Sequence, residues 1–404
     1  MKSFLYLMVP FLLLGGKVFA QECPCKKDVM DFKRAYAETV SYKEQMKNSG
    51  TEARFNKVYD SLVTEITCSE TQWDCFLKLT QLKDVIRDEH SRVFSEGITD
   101  STVTVTKTDF YKELPKVSLQ LDSLETKLQQ KPFNDIEGIY FAEGWKYGVY
   151  KDRESYKGVV LESKNEHWTP GMMAFDVKKA FGNKYRIAWI DRNFTKFRSL
   201  NAETIVGGRF LIYGITKDLQ APFYYKPKEP KPFFYEELSE DIGYMRVATF
   251  SWNNGNVAKA NAFFDTTFPS LTVSHLILDV RNNGGGTDKI GKPLRKALKK
   301  YAKKNKVYIL VNALSASNAE QTAWEIGKLK NVQLLGDQTA GVINYGLNYG
   351  EKITLPSGRF SFYLTDLTYR KFEAFESVGI PVDIPLHTQK DWVEQVLELI
   401  AQQK

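Results

Sequence analysis

From residue 237 onward the chain alternates between short apolar runs and amphipathic stretches. IGYMRVATF is followed by a helical pattern through VAKANAFFDTTF, then SHLILDV, KIGKPLRKALKKYA, KVYILVNAL, AEQTAWEIGKLK and VQLLGD, and the hairpin EKITLPSGRFSF closes the series. Strands alternating with helices are joined by crossovers, so the order predicts βαβ units around a mostly parallel sheet over residues 237–404. In such a sheet a ligand meets the loops beyond the carboxyl ends of the strands.

Two conspicuous loops fall there. LDVRNNGGGTD, residues 278–288, leaves a buried strand through three glycines. Glycine admits φ > 0 and lets a ligand approach the backbone, so this loop can aim N–H groups at an anion. A bare tight turn is the competing reading; a phosphate cradle fits less well, because the spacing matches neither G-x-G-x-x-G nor a Walker lysine loop. VNALSASNAEQT, residues 311–322, carries small and hydroxylic residues where a strand passes into a helix. Ser317 at that turn is a candidate nucleophile. The Asn318 N–H at the helix start, with a glycine N–H, would hold a tetrahedral oxyanion. Ser315 and Ser317 as helix caps are the plainer alternative.

Upstream, the composition changes twice. The 404 residues, 43% apolar and 26% charged, suit a folded chain of two or three domains. Residues 1–20, MKSFLYLMVPFLLLGGKVFA, combine Lys2, a short apolar stretch and Val18-Phe19-Ala20, which predicts a cleavable signal and export to a periplasmic or extracellular space. A membrane anchor is the rival reading, but the stretch is short for a span and Lys17 breaks the apolar run beyond it. Cys23, Cys25, Cys68 and Cys75 agree with export as two disulfides, with three pairings open. Cys-x-Cys without a second pair or a nearby histidine is poor zinc spacing. Residues 21–130 read as a disulfide-linked α-helical N-terminal domain, from apolar residues three and four apart in MDFKRAYAETVSYKEQM, ARFNKVYDSLVTEI and WDCFLKLTQLKDVIRDEH. Residues 131–220 hold short aromatic and β-branched runs between Gly, Asn and Asp turns, which predicts a small all-β domain. Residues 221–236, with Pro222, Pro227, Pro230 and Pro232, read as a stiff connector. The formal charge of +7 falls to +5 without Lys2 and Lys17, which is mild. KPLRKALKKYAKKNK at 292–306 places its lysines on the solvated face of a helix and lacks the interleaved aromatics that a nucleic-acid surface needs.

The joint occurrence of DVRNNGGG, VNALSASNAE and LLGDQTAG, in this order, resembles the core of the C-terminal processing and tricorn-type serine peptidases, a family that includes the interphotoreceptor retinoid-binding proteins. The resemblance covers about residues 235–390. It implies a ClpP/crotonase-like α/β core, a nucleophile at Ser317, oxyanion donors at Gly285 and Asn318, and no metal or other cofactor. One branch of the family uses a Ser-Lys dyad, its lysine directly after the last glycine of G-x-x-T-x-G. Here Gly341 of GDQTAG is followed by Val342, so the likeness is to the tricorn-like branch, in which an earlier domain supplies a histidine.

Four histidines compete for that role. His275 lies inside SHLILDV, His387 follows the last strand and His167 sits in a turn, KNEHWTPG. His90, in RDEHSRVF, resembles the family's Asp-x-His-Ser/Thr stretch, and a neutral imidazole can take the serine proton at neutral pH. FESVGIPVDIPL resembles the family's Glu-Gly-x-Gly-x-x-Pro-Asp segment and puts Glu376 in the orienting position. Ser377 stands where the family has glycine, Pro381-Val382 shifts the proline, and Glu89 stands where tricorn has a serine. The combined expectation is an exported serine-type peptidase with a peptide or protein substrate. A non-catalytic binding protein on the same scaffold and an exported esterase or amidase are the alternatives.

Overall fold

A computed structural model describes residues 23–97, 104–347 and 352–403, so the signal expected over residues 1–20 lies outside the described residues. The alternating C-terminal segment builds a six-stranded sheet from Phe233–Ser239, Ile242–Val247, His275–Asp279, Lys306–Val311, Val332–Gly336 and Ile384–Pro385, in that spatial order. The first pair is antiparallel and the rest are parallel. Period-2 geometry splits each strand between two cores. Leu276 and Leu278 face helices Asn256–Ser270, Asp288–Tyr301 and Asn318–Gly327 through Phe264, Ile290, Leu294 and Ala323. Ile277 faces the other way, with Tyr308, Leu310 and Leu335, and meets Trp392, Val396 and Ile400 of helix Trp392–Gln402. Both sheet faces are thereby covered, as a parallel sheet requires.

The rest of the chain is organised by long-range strand pairing. Strands from residues 138–203 form a meander that continues through Phe197–Glu203 onto Val93–Ser95, and from there onto the hairpin Lys352–Thr354 and Phe360–Tyr363; the short strands of residues 205–216 add to its other edge at Gly138–Ala142, in one 12-stranded sheet. That hairpin is inserted in sequence between the last two strands of the six-stranded sheet, yet it pairs with the N-terminal strand at Val93↔Phe362 and Ser95↔Phe360. The helical segment packs on the same sheet: Phe32, Phe76 and Leu79 share a core with Phe175, Phe197 and Phe362. Helices Pro24–Tyr36, Ser49–Glu65 and Gln72–Lys83 follow the expected apolar spacing. Thr71 and Asn48 cap the last two through hydrogen bonds to Asp74 N–H and to the N–H groups of Gly50 and Thr51.

The cysteines pair as Cys23–Cys68 and Cys25–Cys75, which ties the start of the first helix to the loop after helix Ser49–Glu65 and to helix Gln72–Lys83. No helix among the described residues is long and apolar enough to cross a membrane.

The helix expected to run through RDEH ends before it. It stops at Lys83, and Asp84 to Ser91 run as turns. The buried Asp88 carboxylate is one cause: its Oδ1 accepts the N–H groups of both His90 and Ser91, at 3.2 and 3.0 Å, a local side-chain bond that competes with helix.

Candidate active site

The two loops at the strand ends are sewn together by asparagine and serine side chains. Ser315 Oγ donates to Val280 O at 2.9 Å, Ala316 N–H donates to Asn283 O at 2.9 Å, and Asn282 N–H donates to Asn312 Oδ1 at 3.0 Å. Asp279 and Arg281 hold the base of the glycine loop in a buried pair at 2.6 Å. Ser315 is thus buried structure, and Ser317 is the half-buried hydroxyl.

Ser317 occupies φ 55°, ψ −123°, a conformation that costs a non-glycine residue about 1–3 kcal/mol and persists only where neighbours over-determine it. They do so through Glu320. This carboxylate, with no exposure, accepts Ser317 N–H at 2.9 Å, Val342 N–H at 3.0 Å, Gly341 N–H at 2.8 Å and the Thr339 hydroxyl at 2.6 Å. Ser317 N–H also points at Val342 O, 2.8 Å away. Burial raises the Glu320 carboxyl pKa, and those four donors oppose the rise. The sequence motifs do not single out Glu320, although Ser-x-x-Glu at a helix start is a capping-box spacing.

His90 reaches this serine from the other end of the chain: Nε2 lies 3.2 Å from Ser317 Oγ. Burial pushes the imidazole from its ordinary 6.5 down to about 4, opposed by the charge of Asp88 and assisted by Arg92. The ring is therefore neutral at pH 7. Its Nδ1 has no hydrogen-bond partner among the described residues.

Glu376 lies close by, but its carboxylate is spent elsewhere. Oε1 accepts Glu89 N–H at 2.8 Å, and Oε2 accepts Ile343 and Asn344 N–H at 3.0 and 2.7 Å. It clamps the residue before His90 to the loop that follows Val342, so its hold on the imidazole runs through the main chain. The Arg87 guanidinium donates to Glu376 O and secures the same junction. Burial, with Asp88 and Glu89 adding to it, pushes the Glu376 carboxyl up to about 8, against N–H donors that favour the charged form. Two departures from the family pattern touch each other here: Ser377, at φ 63°, donates its hydroxyl to Glu89 Oε1 at 2.6 Å.

Gly285 lies against Ser317. A Cβ built on it would sit 2.6 Å from Ser317 Cβ and 2.9 Å from Asn318 N. Its own N–H, however, donates to Asn283 Oδ1 at 2.9 Å, so it is turned away from an incoming oxyanion in this structure. Asn318 N–H opens helix Asn318–Gly327, while its side chain bonds Arg295 and Asp288 at 3.2 and 3.3 Å. The remaining histidines stand apart: His275 Nδ1 meets Tyr308 Oη at 3.2 Å, His167 is half-exposed beside Glu166, and His387 packs its backbone on Gln395 and Trp392. Among the described residues no cluster of three His, Cys, Asp or Glu is placed to hold a metal ion.

A family model described as Peptidase family S41 matches residues 288–362, the stretch that carries Ser317, Glu320 and Thr339. No curated protein matches the chain. Among solved structures the chain is similar to mature CPAF, with 12% identity over 94% of this chain and 97% of that one and a TM-score of 0.45. It is similar to the photosystem II D1 C-terminal processing protease, with 14% identity over 91% and 94% and a TM-score of 0.39. The tricorn protease is similar at 13% identity over 94% of this chain and 37% of that one, with a TM-score of 0.42.

Proposed function

We propose that this chain, whose core matches the model of peptidase family S41, is an exported serine peptidase with Ser317 as nucleophile and His90 as its base. The observation that carries the reading is the 3.2 Å approach of two side chains 227 residues apart in sequence. Neutral His90 accepts the Ser317 proton as Oγ attacks a peptide carbonyl, then returns it to the leaving amine. Val342 occupies the position of the dyad lysine and holds no proton-accepting group, which leaves the base to the histidine. Asn318 N–H and a glycine-loop N–H stabilise the tetrahedral oxyanion; Gly285 N–H serves once it leaves Asn283. Glu376 positions His90 by holding Glu89 N–H.

The test pairs a fluorophosphonate, which labels activated serines, with a mixture of unfolded proteins as substrate. The adduct is expected on Ser317 and is lost in His90→Ala, and new peptide termini are expected in the mixture. Ester turnover without peptide cleavage would make the chain an esterase, and absence of both would leave a binding protein.

The buried imidazole also sets a pH profile. A base that titrates near 4 stays competent from neutral pH down to about pH 5, and kcat/KM then falls towards tenfold per pH unit below 4. The same group links to stability. The unfolded chain binds this proton near 6.5 and the folded chain only near 4, so His90 contributes stability above 6.5 that is lost as pH falls through 4. An acid limb at 6.5 in a pH series of initial rates would contradict the buried, neutral imidazole.

A further inference from the structure

Helix Asp288–Tyr301 carries a ridge of lysines that its own stability does not explain. Its apolar side, Ile290, Gly291, Leu294 and Leu298, is buried against the sheet. On the opposite side Lys289, Lys292, Lys296 and Lys300 are exposed, and Lys303 continues the line in the turn beyond the helix. At 100° per residue these positions fall within one narrow sector, and the ridge runs about 21 Å. None of the five has a carboxylate within salt-bridge reach among the described residues. The nearby acids are paired at close range elsewhere: Asp288 pairs with Arg295 and is attracted from farther off by Lys292, and Glu325 pairs with Arg295, Lys299 and Lys371.

Helix physics disfavours this pattern. Lysines near a helix C-terminus suit the macrodipole, which covers Lys299 and Lys300. Lys289 sits in the first turn, where the dipole opposes a positive charge, and Lys289/Lys292, Lys292/Lys296 and Lys296/Lys300 are like-charge pairs at helical contact spacing. A solvated face needs polarity, and alternating signs would supply it without repulsion. A ridge of one sign, pointing directly away from the core, matches a flat surface of the opposite sign.

We propose that this ridge docks the protein on an anionic lipid bilayer. The apolar face of the helix is already buried, so attachment is electrostatic, without insertion. Each lysine at such a surface contributes about fivefold in affinity, and the effect fades within a Debye length as salt rises.

Co-sedimentation of the full chain with vesicles tests this. Binding is expected to vesicles containing phosphatidylglycerol, not to phosphatidylcholine alone, and is lost at high salt. The triple variant Lys292→Gln, Lys296→Gln, Lys300→Gln is expected to bind on the order of a hundredfold more weakly. Its circular dichroism and its cleavage of a neutral peptide should match the parent, which separates this proposal from the peptidase reading. Equal binding to both vesicle types, no binding, or a triple variant that binds like the parent would overturn it. So would a triple variant whose only defect is a raised KM for acidic peptides, which would make the ridge a substrate guide.

Discussion

Ser317→Ala and His90→Ala are each expected to lower kcat for a peptide substrate by on the order of 10⁶, and the double variant is expected to lose no more than either alone. In the proposed mechanism, nucleophile and base act in one proton transfer. A serine hydroxyl without an acceptor 3.2 Å away is a poor nucleophile, and an imidazole without the hydroxyl has no proton to move. What remains in every case is the oxyanion donors and substrate binding, which neither substitution touches. Initial rates over the four members of the cycle, with thermal unfolding as a control for folding, decide the matter. Multiplying losses, or a His90→Ala variant within tenfold of the parent, would mean that Ser317 draws on another base. The Nδ1 atom gives a second reading of the same pair. Since Glu376 bonds Glu89 N–H and not the ring, Glu376→Gln, which keeps one acceptor oxygen, should cost far less than removing His90.

The parallel sheet and its two loops could be read in advance because each rests on local signals: apolar runs of strand length, helical spacing between them, and glycines where the backbone turns. Ser317 and His90 were legible as residue types in motifs, but their meeting depends on contacts that no local pattern encodes. Val93–Ser95 is only three residues long, sits among helices and pairs with Phe360–Tyr363 more than 260 positions away. A strand that short is stabilised by its neighbours in the sheet, so the periodicity of its own segment carries no trace of it. The disulfide pairing was open for the same reason, since spacing does not say which helices pack. Glu376 shows a different limit. Its position in a motif suggested a partner on the imidazole, whereas the carboxylate bonds three amides, and amides have no sequence identity to read. The exchange of glycine for Ser377 is intelligible once Glu89 is seen to accept its hydroxyl, because two departures that look independent are one contact.

The three loop glycines give the sharpest structural test, because they predict three different outcomes for one substitution. Gly284→Ala should be close to neutral: its Cβ meets nothing within 4 Å. Gly285→Ala should abolish turnover. Its φ is +86°, which strains any L side chain, and the new Cβ would lie 2.6 Å from Ser317 Cβ and 2.7 Å from Ala316 O. The turn that carries Ser317 must then move, and a shift near 1 Å at a reacting atom costs about 10²-fold before any oxyanion donor is lost. Because Glu320 and Val342 hold that turn from behind, the strain also falls on the fold, by about 1–3 kcal/mol. Gly286→Ala should act chiefly on stability. Its Cβ would lie 2.1 Å from Phe250 O, a main-chain atom that accepts Thr287 N–H at 2.7 Å and cannot swing aside as a side chain would. Rates and melting temperatures for the three variants should therefore separate into parent-like, inactive but folded, and unfolding early. An active Gly285→Ala would mean that the glycine loop does not lie against the nucleophile, and the oxyanion site would have to be sought elsewhere.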